Sequence, residues 1–369
     1  MSLYLKLLFV SALLAVGFGI FSVFFRYPDS GTIGAEAAKK YIQQIEHEPV
    51  QKRREALVRV LARKAGPRVA LTLISASSLP KNGETHLLAH IIGEVAYRFY
   101  KEKALPLCQD DMFNGCSHGL ISAAISDVGI PGVVRMVQAC ATSNPFQYHM
   151  CLHAAGHAFA ALAGYNIGAA LTECDELIDT HNPAAIHCYN GVFMENALGV
   201  HDGILPPQHP SLSTGNLLSP CDSVGDQYKT ACYLNQPSWW FSVFGSDTRK
   251  TAAYCIHVPL AYQWACADGI GRIIVTTAGE DIAQIQTYCE EMPATMPDMC
   301  LRSVAKSSFA VGNEHLPFDI CKKTQTPEGK KNCYSDLVTL FAENAYSSQK
   351  VHALCQQFDP AFMYLCPAL

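Results

Sequence analysis

No cysteine occurs in the first 107 residues of this 369-residue chain, and none of the sixteen that follow stands in a Cys-x2-Cys pair. That absence removes the common spacing of structural zinc and iron–sulfur sites, and with it the Cys-x-x-Cys-His attachment of haem. No run of Lys and Arg with interleaved aromatics is present, the net charge is −5 and the sequence pI is near 6.3. A nucleic-acid partner is therefore excluded. There is no Asn-x-Ser/Thr acceptor, no Gly-x-Ser-x-Gly elbow, no phosphate-binding loop and no dinucleotide fingerprint. Charged residues make up only 16%, against 49% hydrophobic, so the chain has ample apolar surface for a large core or a stack of small units.

Sixteen cysteines at this density point to disulfides and an oxidising compartment. One long apolar run, Leu3 to Phe25, is interrupted only by Lys6 and ends at Arg26, Tyr27 and Pro28. At about 1.5 Å per residue it is long enough to cross a bilayer core of about 30 Å. A cleaved signal peptide is the alternative, with Ala15 and Gly17 as small residues before a cut. The run continues through Ile20, Val23 and Phe25, which favours an uncleaved signal anchor over residues 1–27. The expected setting is a bacterial inner membrane, with the membrane as a partner through this helix and the body facing the periplasm or the cell exterior.

The cysteines are evenly phased. Sixteen allow about two million complete pairings, but spacing selects one: Cys108–Cys116, Cys140–Cys151, Cys174–Cys188, Cys221–Cys232, Cys255–Cys266, Cys289–Cys300, Cys321–Cys333 and Cys355–Cys366. First cysteines follow each other at 32, 34, 47, 34, 34, 32 and 34 residues. A period near 34 belongs to a helix–turn–helix repeat. About ten residues before most first cysteines stands a glycine, followed two residues later by a helix-starting residue. The cases are Gly129 with Pro131, Gly164 with Asn166, Gly245 with Asp247, Gly279 with Asp281 and Gly312 with Glu314. Such a glycine ends one helix, and the Asn, Asp or Pro opens the next. Each unit then reads as helix A ending near the first cysteine, a turn, and helix B beginning near the second.

A cysteine-free copy precedes the series, with Ile74 and Leu88 in the cysteine positions. Helical patterns over Ala35 to Glu46 and Arg53 to Lys64 complete a stalk or cap across 28–59. The fold class expected is all-α: an α-solenoid of about nine αα-hairpins over 60–369, eight of them disulfide-stapled, after an N-terminal transmembrane helix. This architecture resembles the tetratricopeptide-like superfamily of helical-hairpin solenoids, specifically its secreted cysteine-rich members. The Trp, Leu-Gly and Tyr signature of that superfamily is absent. The resemblance implies an elongated, groove-bearing body and assigns no activity.

Equivalent positions in stacked repeats lie side by side. Two residues after the second cysteine position stand His90, His118 and His153, then Asn190, Leu234, Asp268, Arg302 and Ser335. Residues four apart share a helix face, so three successive helices carry His86-His90-Glu94, Asn114-His118-Ser122 and His149-His153-His157. Glu195 begins the face of the next helix. Imidazoles and carboxylates converging from neighbouring helices suit Zn, Cu, Fe or Mn. The metal-ligand candidates are His86, His90, Glu94, His118, His149, His153, His157 and Glu195, with Glu94 or Glu195 also available as proton acceptors. The alternative is a set of core histidines whose nitrogens are satisfied by carbonyl or hydroxyl partners. Gly119, Ala154, Gly156 and Gly191 stand beside them and would permit close approach of helices or a ligand. His181, His187 and His257 fit no phase of the repeat.

The 47-residue step carries an insertion over 200–216, containing His201-Asp202-Gly203, Pro206-Pro207 and His209-Pro210. It reads as a surface loop or a lid over the histidines. Trp239, Trp240 and Phe241 read as core, or as a groove for peptide or glycan. Two functions follow: a binding or scaffold module for an envelope protein, peptide or glycan, with a His/Glu-lined groove that takes a transition metal; or a metal-dependent oxidoreductase, hydrolase or envelope metal carrier.

Overall fold

The protein was analysed as a computed structural model, which describes residues 32–79, 83–108, 115–141, 145–198, 210–293, 296–310, 313–343 and 346–367. The chain is all-helical, and among the described residues there is no β-strand. The apolar run from Leu3 to Phe25 and the greater part of the insertion, residues 200–209, lie outside the described residues. The described residues fall into two compact units, one up to Ser77 and one from Ser78 onward.

In the first unit, α1 (Ala35–His47), α2 (Gln51–Ala65) and α3 (Pro67–Ser75) pack on one another. Val58, Leu61 and Ala62 of α2 and Ala70, Leu71 and Ile74 of α3 are buried in its core. Gly66, at φ 92°, separates α2 from α3, and Pro67 sits at the first position of α3, where its missing N–H costs nothing.

The second unit is a series of helical hairpins, and the local signals explain it. Gly129, Gly164, Gly245 and Gly279 all have positive φ, between 56° and 66°, which only glycine adopts without strain. Gly129 divides Gly115–Cys140 (α5) into two helices, the second opened by Pro131. Asn166, Asp247 and Asp281 each accept a hydrogen bond from the backbone N–H three residues on. They start α7 (Ile167–Leu177), α10 (Thr248–Tyr254) and α12 (Ile282–Glu290). The next start differs. Asn313, rather than Glu314, accepts from the Leu316 N–H ahead of α14 (Leu316–Lys323), because its shorter amide reaches the helix end. All eight expected disulfides are formed, and no cysteine is free. Most tie the end of one helix to the first turns of the next, while Cys221 lies in the turn before its helix and Cys366 just after the last short one; the bridges close loops of 8 to 14 residues. In the chain-entropy model that constraint is worth about 3 kcal/mol per bridge.

The second helix of each hairpin packs against the second helix of the next. The order is α4 (Gly83–Tyr100), the first half of α5, α6 (Pro145–Leu162), α8 (Ala185–Leu198), α9 (Asp226–Val243), α11 (Gln263–Ala278), α13 (Pro297–Ala310) and α15 (Pro327–Glu343). Glycine sets the spacing of the first four. A Cβ on Gly119 would lie 1.9 Å from the carbonyl oxygen of His90, and one on Gly191 would lie 2.0 Å from that of His153. The backbones of α4 and α5, and of α6 and α8, therefore touch directly. Trp239 and Trp240 are fully buried in α9, so they belong to the core and line no groove. The described end of the insertion is tied to α8, where the Ser211 hydroxyl donates to the Asn196 amide oxygen, and just beyond it the Trp240 indole and the Gln236 amide both donate to the Leu217 carbonyl. Gly115–Cys140 has the length and hydropathy of a membrane span, yet its break at Gly129 and its buried side chains mark it as a pair of core helices.

Candidate metal centre

Packing of α5 between α4 and α6, with direct backbone contact on the α4 side, brings five imidazoles together. His118 of α5 is the middle one. Its ring centre lies 5.1 and 5.2 Å from those of His86 and His90 on α4, and 4.9 and 5.0 Å from those of His153 and His157 on α6. Within α4, His86 Nε2 and His90 Nε2 are 2.9 Å apart; within α6, His153 Nε2 and His157 Nε2 are 3.1 Å apart. The i, i+4 spacing that placed each pair on one helix face produces both contacts.

Those separations match two nitrogens on a common ion. With metal–nitrogen bonds of about 2.05 Å, nitrogens 2.9 to 3.1 Å apart subtend about 90 to 98° at the metal. The ligand atoms of His86, His90 and His118 lie within 4.8 Å of one another, and so do those of His118, His153 and His157. A tetrahedral edge is about 3.3 Å, so His118 needs to approach each pair by at most about 1.5 Å, a distance that ring rotation covers.

His118 is 3% exposed, and neither of its ring nitrogens has a hydrogen-bond partner among the described residues. A core histidine with satisfied nitrogens is therefore not what this residue is. Burial, and then the four neighbouring imidazoles, holds its pKa well below the ordinary histidine value. Burial does the same to His153, helped by His157 and by the positive charge of Arg272. Both rings are neutral at pH 7, the state in which imidazole offers a lone pair to a metal.

Glu195 stands behind His157 instead of beside it. Its carboxylate is fully buried on α8, accepting from His157 Nδ1 at 2.8 Å and from the Tyr165 hydroxyl at 3.2 Å. With Nδ1 carrying the proton, His157 Nε2 keeps its lone pair and faces His153. A carboxylate fixing the far nitrogen of a ligand histidine is the usual outer support of a metal site. Tyr165 was not evident in the sequence; it follows Gly164, and its own positive φ of 62° turns the side chain toward Glu195.

The remaining sequence candidates are placed elsewhere. Glu94 forms an ion pair with Arg98. His149 stacks on His187, with ring centres 4.1 Å apart and planes 14° from parallel. Burial and the neighbouring His149 lower His187 to a pKa of about 4. His187 had no place in the repeat phase, and one position before Cys188 was its only marker. Ser122 donates to the His118 carbonyl, and Asn114 lies outside the described residues. His181 is exposed beside Asp179, and His257 packs on Tyr254.

Further along the stack the equivalent positions carry charge. Asp268 pairs with Lys306 at 2.7 Å, and Arg302 makes two hydrogen bonds to Asp336 at 3.0 and 3.1 Å. These four residues line a cleft together with Trp264 and Met299. Comparison with known protein families, with curated proteins and with solved structures returns no match, so the functional reading rests on this geometry.

Proposed function

We propose that this chain is an extracytoplasmic α-solenoid, anchored to the membrane by residues 1–27, that holds a transition metal in its histidine cluster and serves as a binding scaffold for an envelope partner. The observation that carries the metal site is His118. Two buried ring nitrogens without partners cost about 1–3 kcal/mol each, and four further imidazoles surround them. A bound cation repays that cost, and Glu195 already orients one ligand for it. All-nitrogen ligation suits Zn, Cu or Fe better than a hard oxygen-seeking ion. Eight disulfides support an oxidising compartment. Serial packing of second helices supports the solenoid. The cleft around Asp268 and Arg302, with Trp264 at its rim, supports recognition of a polar peptide or glycan.

An enzymatic role is the second reading, because each group of three histidines leaves a coordination position open, as catalytic zinc sites do. Elemental analysis of the full-length chain, purified without a polyhistidine tag, tests the metal site. Stoichiometric metal, lost in His118→Ala and His153→Ala, is expected. A chain that carries none and takes up no added Zn, Cu, Fe or Mn refutes it.

A further inference from the structure

We infer that the cluster is built for two metal ions, joined by His118 as a bridging imidazolate. The bridge rests on the metal site proposed above and goes beyond it in number of ions and in the state of one ring. Among the described residues there are two groups of three ligands, and they share only His118. The five nitrogens do not form one group, because the α4 pair and the α6 pair stand on opposite sides of α5. One nitrogen cannot serve two ions, whereas an imidazole ring has two, pointing away from each other. In His118 both are buried, and both lack a hydrogen-bond partner among the described residues. A histidine that binds one metal almost always gives its other nitrogen to a carboxylate, carbonyl or water. His157 does so, through Glu195. His118 has no carboxylate or carbonyl partner among the described residues, and a second metal would take the lone pair on its far side.

The proton count follows. Between His153 and His157 one Nε2–H donates to the other Nε2. His157 holds its proton on Nδ1 against Glu195, so His153 is the donor. Metal binding moves the His153 proton to Nδ1 without releasing it, and the α4 pair makes the same tautomer change. His118 alone must lose a proton, because its neutral ring has one lone pair and the bridge needs two. Two divalent ions therefore bind with net release of one proton to solvent, from His118. No oxidant or reductant is involved.

The test loads the full-length chain with Cu(II) near pH 8, where free imidazoles are neutral, and reads stoichiometry, proton release and the electron paramagnetic resonance signal. Two coppers per chain, one proton released, and loss of the ordinary mononuclear signal through spin coupling are expected. His90→Ala and His157→Ala should each keep one uncoupled copper, with helix content checked by circular dichroism. One copper per wild-type chain overturns the bridge and leaves the mononuclear site standing. Two coppers with full uncoupled signal intensity also overturn the bridge. No copper, and no uptake of Zn or Fe, overturns the bridge and the metal site together. The wild-type result decides the matter even where a variant fails to fold.

Discussion

Glu195→Gln isolates what the outer carboxylate does. The side chain is fully buried, and Gln matches its shape, so packing is preserved and the Tyr165 hydroxyl keeps an acceptor. What changes is the group facing His157 Nδ1. A carboxylate oxygen 2.8 Å away accepts the Nδ1 proton. An amide NH2 in that place donates, and drives the His157 proton to Nε2, the nitrogen that faces His153. Metal binding then requires either flipping the amide, which deprives Tyr165 of its acceptor, or breaking the new hydrogen bond. Loss of an outer partner of this kind typically lowers metal affinity about 10–100-fold, equivalent to about 1.4–2.7 kcal/mol. Competition titration of Zn(II) against a chromophoric chelator measures it directly. Glu195→Asp should recover part of the loss, since it restores an acceptor at longer reach. Affinity of Glu195→Gln within twofold of wild type, with unaltered helix content, would show that His157 is not a ligand oriented through Nδ1.

Gly119→Ala places a Cβ 1.9 Å from the His90 carbonyl oxygen; separating α4 from α5 should cost at least about 1–3 kcal/mol and weaken metal binding, both read by denaturant titration with and without Zn(II). Acid should destabilise the metal-free protein. His118, His153 and His187 have folded pKa values below the unfolded value near 6.5, so below pH 6.5 the unfolded chain binds more protons and stability falls by about 1.4 kcal/mol per pH unit for each neutral ring. For His187, with a folded value of about 4, the loss runs from pH 6.5 to 4 and amounts to about 3 kcal/mol; a urea midpoint unchanged between pH 7.5 and 5 contradicts it. Cys174→Ser with Cys188→Ser should lower stability by about 3 kcal/mol, because that bridge ties α7 to the helix carrying Glu195; an unchanged urea midpoint counts against it.

The parts of the fold written in the sequence are those decided within a dozen residues. Cysteine pairing followed from spacing because each bridge closes inside one hairpin. Gly129, Gly164, Gly245 and Gly279 were legible because only glycine ends a helix at positive φ without cost, and Asn166, Asp247 and Asp281 because their short side chains cap the next. The histidine faces were legible for the same local reason, since i and i+4 share a side of a helix. Contacts between elements were less accessible. Nothing in the spacing told that His86 and His90, and His153 and His157, would close as two pairs about His118, or that Glu195 would sit at the back of a ring. Glu94 fits the ladder by register, but Arg98, one turn away on the same face, takes it into an ion pair. Tyr165 and the place of His187 were not legible because their partners lie on other helices, reached through turn geometry that no period encodes.

The crosslinks have a consequence for how such a chain matures. Partners are 8 to 14 residues apart, whereas each completed pair is followed by a gap of 21 to 33 residues before the next thiol. If the chain emerges N-terminus first into an oxidising compartment, each thiol meets the right sulfur before any wrong one. Oxidation in order of emergence yields the native set, with little left for an isomerase to reshuffle.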